Sequence, residues 1–86
     1  MITIKWYIYD TRYESIHPVD IKLELEYAFG KIKFNCSLIT NHSSKAELVV
    51  KVDVNTKEID EKILAYMKKL VRNSRVFVDN VEYKLR

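Results

Sequence analysis

Residues 21–39 read IKLELEYAFGKIKFNCSLI and carry the strongest local pattern in the chain. Apolar residues occupy every second position on both sides of Gly30-Lys31, which is the period of a β-strand with one buried face. A glycine at the first central position suits a two-residue type II′ turn. With that turn, the apolar positions of 21–29 and 32–39 fall on the same face, and a slip of one residue would separate them. The stretch therefore predicts a β-hairpin with strands at 21–29 and 32–39.

The flanking segments show the same alternation. Residues 2–9 and 46–54 each place apolar side chains at alternate positions and are predicted to be strands. The intervening segment 10–19 breaks the pattern, and Pro18 restrains the residue before it to extended conformations, so we expect a loop. Asn and Ser at 41–44 bond readily to their own backbone, which predicts a second turn there.

After residue 54 the period changes from that of a strand to that of a helix. The apolar positions fit one face of an amphipathic helix: they are Ile59, Ile63, Tyr66, Met67, Leu70 and Val71. Asn55 or Thr56 is the expected N-cap, and the helix is predicted to lie near residues 56–72.

The C-terminal stretch RVFVDNVEYKLR predicts a second hairpin. Asp79 and Asn80 tolerate the left-handed backbone that a type I′ turn requires. This turn pairs Val78 with Val81 and Val76 with Tyr83, which gives one apolar face. It also places Arg75 opposite Lys84, a like-charge conflict. A single bent strand is the alternative.

These segments give the order β-β-β-β-α-β-β and predict a single α+β domain over residues 1–86, with a mainly antiparallel sheet. A helix about 10–12 Å across covers two or three strands spaced about 4.8 Å apart, not six. The remaining apolar sheet surface then needs another cover, which favours self-association or a protein partner.

Composition excludes several classes of function. The 86 residues contain one Gly and one Pro, so neither a glycine-rich dinucleotide loop nor a P-loop can form. The lone Cys excludes an intramolecular disulfide, and two His with one Cys are too few for a structural zinc site, so no cofactor or metal is expected. The sequence shows neither an apolar run of membrane-spanning length nor a secretory leader, and we expect a cytoplasmic location with no membrane partner.

Catalytic residues are not expected. Cys36 and His42 could meet in space, but Cys36 falls on the apolar side of its predicted strand, where a free thiol behaves as a small hydrophobic group. His17, Asp20 and Glu14 have no better claim as metal ligands, since such residues are usually solvated. We predict that the protein is not an enzyme and takes no small-molecule substrate.

Aromatic residues near the N-terminus are candidates for a protein interface, where Trp and Tyr are enriched. They are Trp6, Tyr7 and Tyr9 on the first predicted strand and Tyr13 in the loop that follows. The alternatives are core packing for Trp6 and base stacking for the tyrosines.

Basic residues form a second candidate surface, for contact with phosphates. Four lie at the predicted helix end, and Lys5 lies on the first strand; the four are Lys68, Lys69, Arg72 and Arg75. The alternative is that cations at a helix C-terminus simply complement the helix dipole.

The sequence therefore predicts a non-catalytic binding protein that acts through a protein interface, as a homodimer or as a stoichiometric inhibitor or adaptor of a larger protein. A protein of a phage or mobile element would fit this size. The alternative function is nucleic-acid binding through the basic end of the helix.

Overall fold

A computed structural model of the protein describes residues 1–9, 17–39 and 45–84. Within these ranges the chain forms five strands and two helices. In chain order they are β1 (Ile2–Ile8), α1 (Pro18–Ala28), β2 (Phe34–Leu38), β3 (Leu48–Val54), α2 (Glu61–Leu70), β4 (Ser74–Val78) and β5 (Val81–Tyr83). The α+β class with an antiparallel sheet is confirmed, but the order of elements is β-α-β-β-α-β-β.

The sheet has the strand order β2-β3-β1-β4-β5, and every neighbouring pair is antiparallel. Strands β1 and β2 therefore run parallel with β3 between them, and β3 and β4 run parallel with β1 between them. Each of these parallel pairs is connected through a helix. The first six elements thus have the β-α-β-β-α-β order of the split β-α-β, or ferredoxin-like, arrangement, and β5 extends its edge.

One face of the sheet is covered by both helices. Alternate residues of β1 and β3 are buried there, as the strand period requires. Ile21 and Leu25 of α1 and Ile63 and Met67 of α2 belong to the same core cluster. The strand members of the cluster are Ile4, Trp6, Ile8, Phe34, Leu48, Val50, Val52, Val54 and Val76.

The predicted strand at 21–29 is wrong, because these residues lie in α1 and its end. His17 has an extended backbone, as the following proline requires, and its Nδ1 accepts a hydrogen bond from the Val19 N–H (3.2 Å), so it caps the helix. Pro18 occupies the first turn, where its missing N–H does no harm.

The predicted hairpin turn at Gly30 is also wrong, because residues 21–29 do not form the first strand of a hairpin. Gly30 follows α1 and does not have a positive φ, so it is not the first residue of a type II′ turn. The strand predicted at 32–39 does form, as β2, but it pairs with β3 instead of with residues 21–29.

The later predictions are largely confirmed. Strand β3 lies within the predicted 46–54, and Asp79 and Asn80 have φ values of 50° and 66°. The register of β4 and β5 pairs Val76 with Tyr83 and Val78 with Val81 as expected, which excludes a single bent strand.

Two details of the C-terminal half differ from expectation. Helix α2 is shorter than 56–72, and its N-cap is Asp60, whose carboxylate accepts the Lys62 N–H at 2.9 Å, so neither Asn55 nor Thr56 caps it. Strand β5 ends before Lys84, and Arg75 lies near Glu82 instead (3.7 Å).

The expectation that part of the apolar sheet face lacks a cover is wrong. With two helices over five strands, the apolar sheet face is covered, and most of its residues in β1, β3 and β4 are fully buried. The loop predicted at 10–19 is wrong at its end, where Pro18 and Val19 lie in α1; residues 10–16 and the predicted turn at 41–44 lie outside the described residues.

Candidate functional site: two exposed surfaces

Cys36 lies on the core face of β2 and is half-buried. Burial of the thiol, followed by the nearby negative charge of Glu26, raises the pKa of Cys36 from 9.0 to about 11. The thiol is therefore protonated near neutral pH, whereas a nucleophilic cysteine requires a lowered pKa. His17 is occupied as a helix cap, and His42 lies outside the described residues.

The aromatic candidates separate onto the two faces of the sheet. Trp6 is 1% exposed in the core, and its indole Nε1 donates a hydrogen bond to Ser74 Oγ (3.0 Å). Its side chain therefore gives no surface to an interface, and the core alternative describes it. Tyr7 and Tyr9 are half-buried; the strand register places Tyr7 on the opposite face, Tyr9 follows the end of β1, and Tyr13 lies outside the described residues.

The basic candidates also separate. Lys5 and Arg75 lie on the sheet face that α1 and α2 do not cover, because they alternate with the core residues of β1 and β4. Lys68 belongs to α2, and its Nζ donates a hydrogen bond to the carbonyl of Ser74 (2.5 Å). Lys69 and Arg72 are exposed at the end of α2. The residues at 68–75 are thus not one continuous patch.

An exposed apolar surface that the sequence pattern did not predict lies on α1. Val19, Leu23 and Tyr27 are 51%, 58% and 91% exposed. They are spaced four residues apart, so they lie one above another on the helix. We call these three residues the outer stripe of α1.

Charged side chains border the outer stripe. Helix α1 carries three carboxylates, on Asp20, Glu24 and Glu26, against the single cation of Lys22. The Glu24 carboxylate also accepts a hydrogen bond from the Tyr66 hydroxyl (2.6 Å), which ties α1 to α2 and raises the pKa of Tyr66. The border of the stripe is therefore acidic.

A cleft of about 200 Å³ opens beside this border, between α1 and α2. Two carboxylates and an apolar lining define it; the lining residues are Asp20, Glu24, Trp6, Ile8, Ile21, Leu70 and Val71. An apolar cleft with carboxylates at its rim suits the long stem and charged end of a Lys or Arg side chain.

The second surface is the sheet face opposite the helices, which we call the open sheet face. The described residues that alternate onto it are Thr3, Lys5, Tyr7, Asn35, Ser37, Val49, Lys51, Asp53, Arg75, Phe77 and Glu82. Neither α1 nor α2 covers it. Its accessible part lies around Lys5 and Phe77, since Val49 is only 1% exposed.

Strand register brings cations and rings together on the open sheet face. Lys5 is directly opposite Lys51 on one side and Phe77 on the other. Tyr7 is opposite Arg75, and the rings of Tyr7 and Phe77 meet edge to face with centroids 5.3 Å apart.

The side chains around the two surfaces do not gather into a metal centre. Among residues 1–9, 17–39 and 45–84, no three His, Cys, Asp or Glu side chains are placed to hold a metal ion. Neither described helix is long and apolar enough to cross a membrane. Comparisons with models of protein families, with curated proteins and with solved structures find no match to this chain.

Proposed function

We propose that this protein is a non-catalytic binding protein whose outer stripe of α1 docks against another protein. The observation that carries the proposal is the alignment of Val19, Leu23 and Tyr27, each at least half exposed, along one side of a helix. Single exposed apolar residues are ordinary in small proteins, but an aligned set at helical spacing is typical of a helix that docks in a groove.

The shape and the charged border of the stripe indicate what kind of surface would bind it. The stripe is convex and extends over nine residues, about 12 Å of helix from the first to the last. A convex apolar helix face fits a concave apolar surface. Because Asp20, Glu24 and Glu26 border the stripe, electrostatic complementarity favours a groove whose rim carries Lys or Arg side chains.

A different protein fits better than a second copy of this chain. Two-fold antiparallel pairing of the α1 helices places the same side of each helix in contact. Asp20 and Glu24 would then face the same two carboxylates of the second copy. Like charges brought together in this way oppose association.

Photo-crosslinking in cells that produce the protein tests the proposal. We would place p-benzoyl-phenylalanine at position 23 in the stripe and, as control, at position 62 on α2. We expect an adduct with one defined protein from position 23 only. Two changes should reduce that adduct: Val19→Asp within the stripe, and the double change Asp20→Lys with Glu24→Lys at its border.

The matched control is Val81→Asp, which makes the same change at a valine of β5 that is more exposed than Val19 (69% against 51%) and should leave the adduct unchanged. Adducts that form equally from both positions, or that survive Val19→Asp, would contradict the proposal. An adduct with a second copy, together with a dimer in sedimentation at tens of micromolar, would show that the stripe mediates self-association instead.

A further inference from the structure

We infer that the open sheet face binds single-stranded nucleic acid, with Lys5, Lys51 and Arg75 contacting phosphates and Phe77 and Tyr7 contacting bases. This surface lies on the other side of the sheet from the outer stripe of α1. The inference is therefore independent of the proposed protein-binding role.

The pairing of Lys5 with Lys51 is the first argument. These residues are directly opposite on adjacent strands, an arrangement that destabilises a sheet because like charges repel at this distance. Within the described residues, Lys5 makes no ion pair, and Lys51 approaches a carboxylate only at 3.9 Å. A phosphate bound at each ammonium group would offset the repulsion.

Three carboxylates lie near these cations: Asp53 and Glu82 on the face, and Asp79 in the turn that lines the cleft with Lys5 and Phe77. Asp53 accepts a hydrogen bond from the Thr3 hydroxyl (2.7 Å) and lies beside Lys51, towards the end of β3. Glu82 lies near Arg75 on the edge strand, at 3.7 Å. Both ion pairs are long and partly exposed, so they compete weakly with a phosphate for the cations.

The rings supply the second argument. Phe77 is next to Lys5 and, with it, lines a cleft of about 200 Å³ that also includes Thr3, Asp79 and Asn80. Tyr7 packs edge to face against Phe77, which holds the phenylalanine ring in place. Aromatic side chains on a sheet, flanked by cations, form a platform on which unpaired bases stack.

The open sheet face suits this role better than the end of α2. Lys68 is engaged with the Ser74 carbonyl, and the aromatic ring of α2, that of Tyr66, packs against Phe29 while its hydroxyl donates to Glu24. The open sheet face combines cations with rings, as single-strand binding requires. Bases in a duplex are not available for stacking on protein side chains, so single strands should bind more tightly than duplexes.

Fluorescence anisotropy with labelled (dT)₁₂ and (U)₁₂ tests this inference across a series of salt concentrations. Three phosphate contacts predict that the logarithm of the binding constant falls with the logarithm of salt with a slope of about −2. The double variant Lys5→Gln, Lys51→Gln should reduce the slope to about −0.7 and weaken binding roughly ten-fold at low salt.

The matched control is Lys69→Gln with Arg72→Gln, which removes the same charge from the end of α2 and should change neither value appreciably. Phe77→Leu should weaken binding about five-fold or more through lost stacking. Circular dichroism melts separate these losses from unfolding. Removing the Lys5–Lys51 repulsion should preserve or raise Tm while binding falls, which a general loss of structure cannot do.

Absence of binding to either oligonucleotide at low salt would overturn the inference. So would equal affinity for duplex and single strand, or an equal loss from the two double variants. A larger loss from the Lys69, Arg72 variant would place the nucleic-acid surface at the end of α2 instead.

Discussion

Leu23 and Leu25 of α1 differ completely in burial although they are two residues apart. Leu25 is 0% exposed in the core, whereas Leu23 is 58% exposed in the outer stripe. Residues two positions apart in an α-helix are separated by about 200° around its axis, so these two side chains point in nearly opposite directions. We therefore predict that Leu25→Ala and Leu23→Ala have very different effects on the stability of the protein.

The expected magnitudes follow from the exposed fractions. Truncation of a fully buried leucine costs about 2–5 kcal/mol, through lost burial and the cavity that remains. In a chain of this length, each kcal/mol lowers Tm by about 4–8 °C, so Leu25→Ala should lower Tm by at least about 8 °C. Leu23→Ala removes little buried surface and keeps a strong helix former, so its effect should lie within about 0.5 kcal/mol.

Urea unfolding followed by tryptophan fluorescence measures both variants, since Trp6 is the only tryptophan and is buried. If residues 21–29 formed a strand, Leu23 and Leu25 would share a face, and the two alanine variants would lose similar amounts of unfolding free energy. Losses that agree within about 1 kcal/mol, or a larger loss for Leu23→Ala, would refute both the helix and the outer stripe that depends on it.

Other variants test the core, the turns and the thiol. Ser74→Ala removes the acceptor of the buried Trp6 indole N–H and should lower the free energy of unfolding by about 1–3 kcal/mol, measured by urea titration. Asn80→Gly should raise Tm, because φ there is 66° and glycine adopts that conformation without strain. Gly30→Ala should stabilise by about 0.4–1 kcal/mol, since φ is not positive and the nearest atom to an added Cβ is 3.8 Å away; a loss in thermal denaturation would contradict this. Because the pKa of Cys36 is raised to about 11, its thiol should react with an alkylating reagent at pH 9 far more slowly than a free cysteine. The same raised pKa favours the folded state below pH 9, and that contribution to stability is lost as the pH rises from 9 towards 11.

The sequence predicts best where turn chemistry and burial pattern agree. Asp79 and Asn80 favour the backbone of a type I′ turn, and the apolar alternation on either side of them selects the same register. Both features are local and require no knowledge of the rest of the fold. The structure has this turn and this register.

Residues 21–29 show why alternation can mislead. A helix with one apolar stripe repeats every three or four residues, but α1 carries two stripes on opposite sides. Ile21 and Leu25 form the buried stripe, and Val19, Leu23 and Tyr27 form the exposed one. Interleaved, the two stripes produce apolar residues at every second position, which is also the period of a strand.

One signal in the sequence favoured the helix. His17-Pro18 is a suitable helix start, because proline is well tolerated in the first turn and a polar side chain before it can cap the backbone. The alternation outweighed this signal. Within the described residues, the packing of the domain does not account for the exposed stripe of α1, and this excess of apolar residues is what supports the proposal of a protein partner.

The candidate surfaces are harder to derive from the sequence than the fold, because they depend on which residues the sheet places side by side. Lys5 and Lys51 are far apart in the chain and meet only because β1 and β3 are neighbours. Arg75 joins them through the pairing of β1 with β4, while Lys68, close to it in sequence, lies on α2. Distance along the chain alone could not separate these two environments.

The central position of β1 determines how the two proposed roles combine. Trp6 points from β1 into the core beneath the helices, while Lys5 and Tyr7 point from the same strand to the open sheet face. A protein bound to the outer stripe of α1 is therefore separated from the open sheet face by the helix layer and the sheet. Neither ligand needs the other to leave, and no charge of one surface lies within the other. If both proposals hold, the two sites could be occupied together, and the protein would act as an adaptor that holds a protein on one side of the sheet and a nucleic-acid strand on the other.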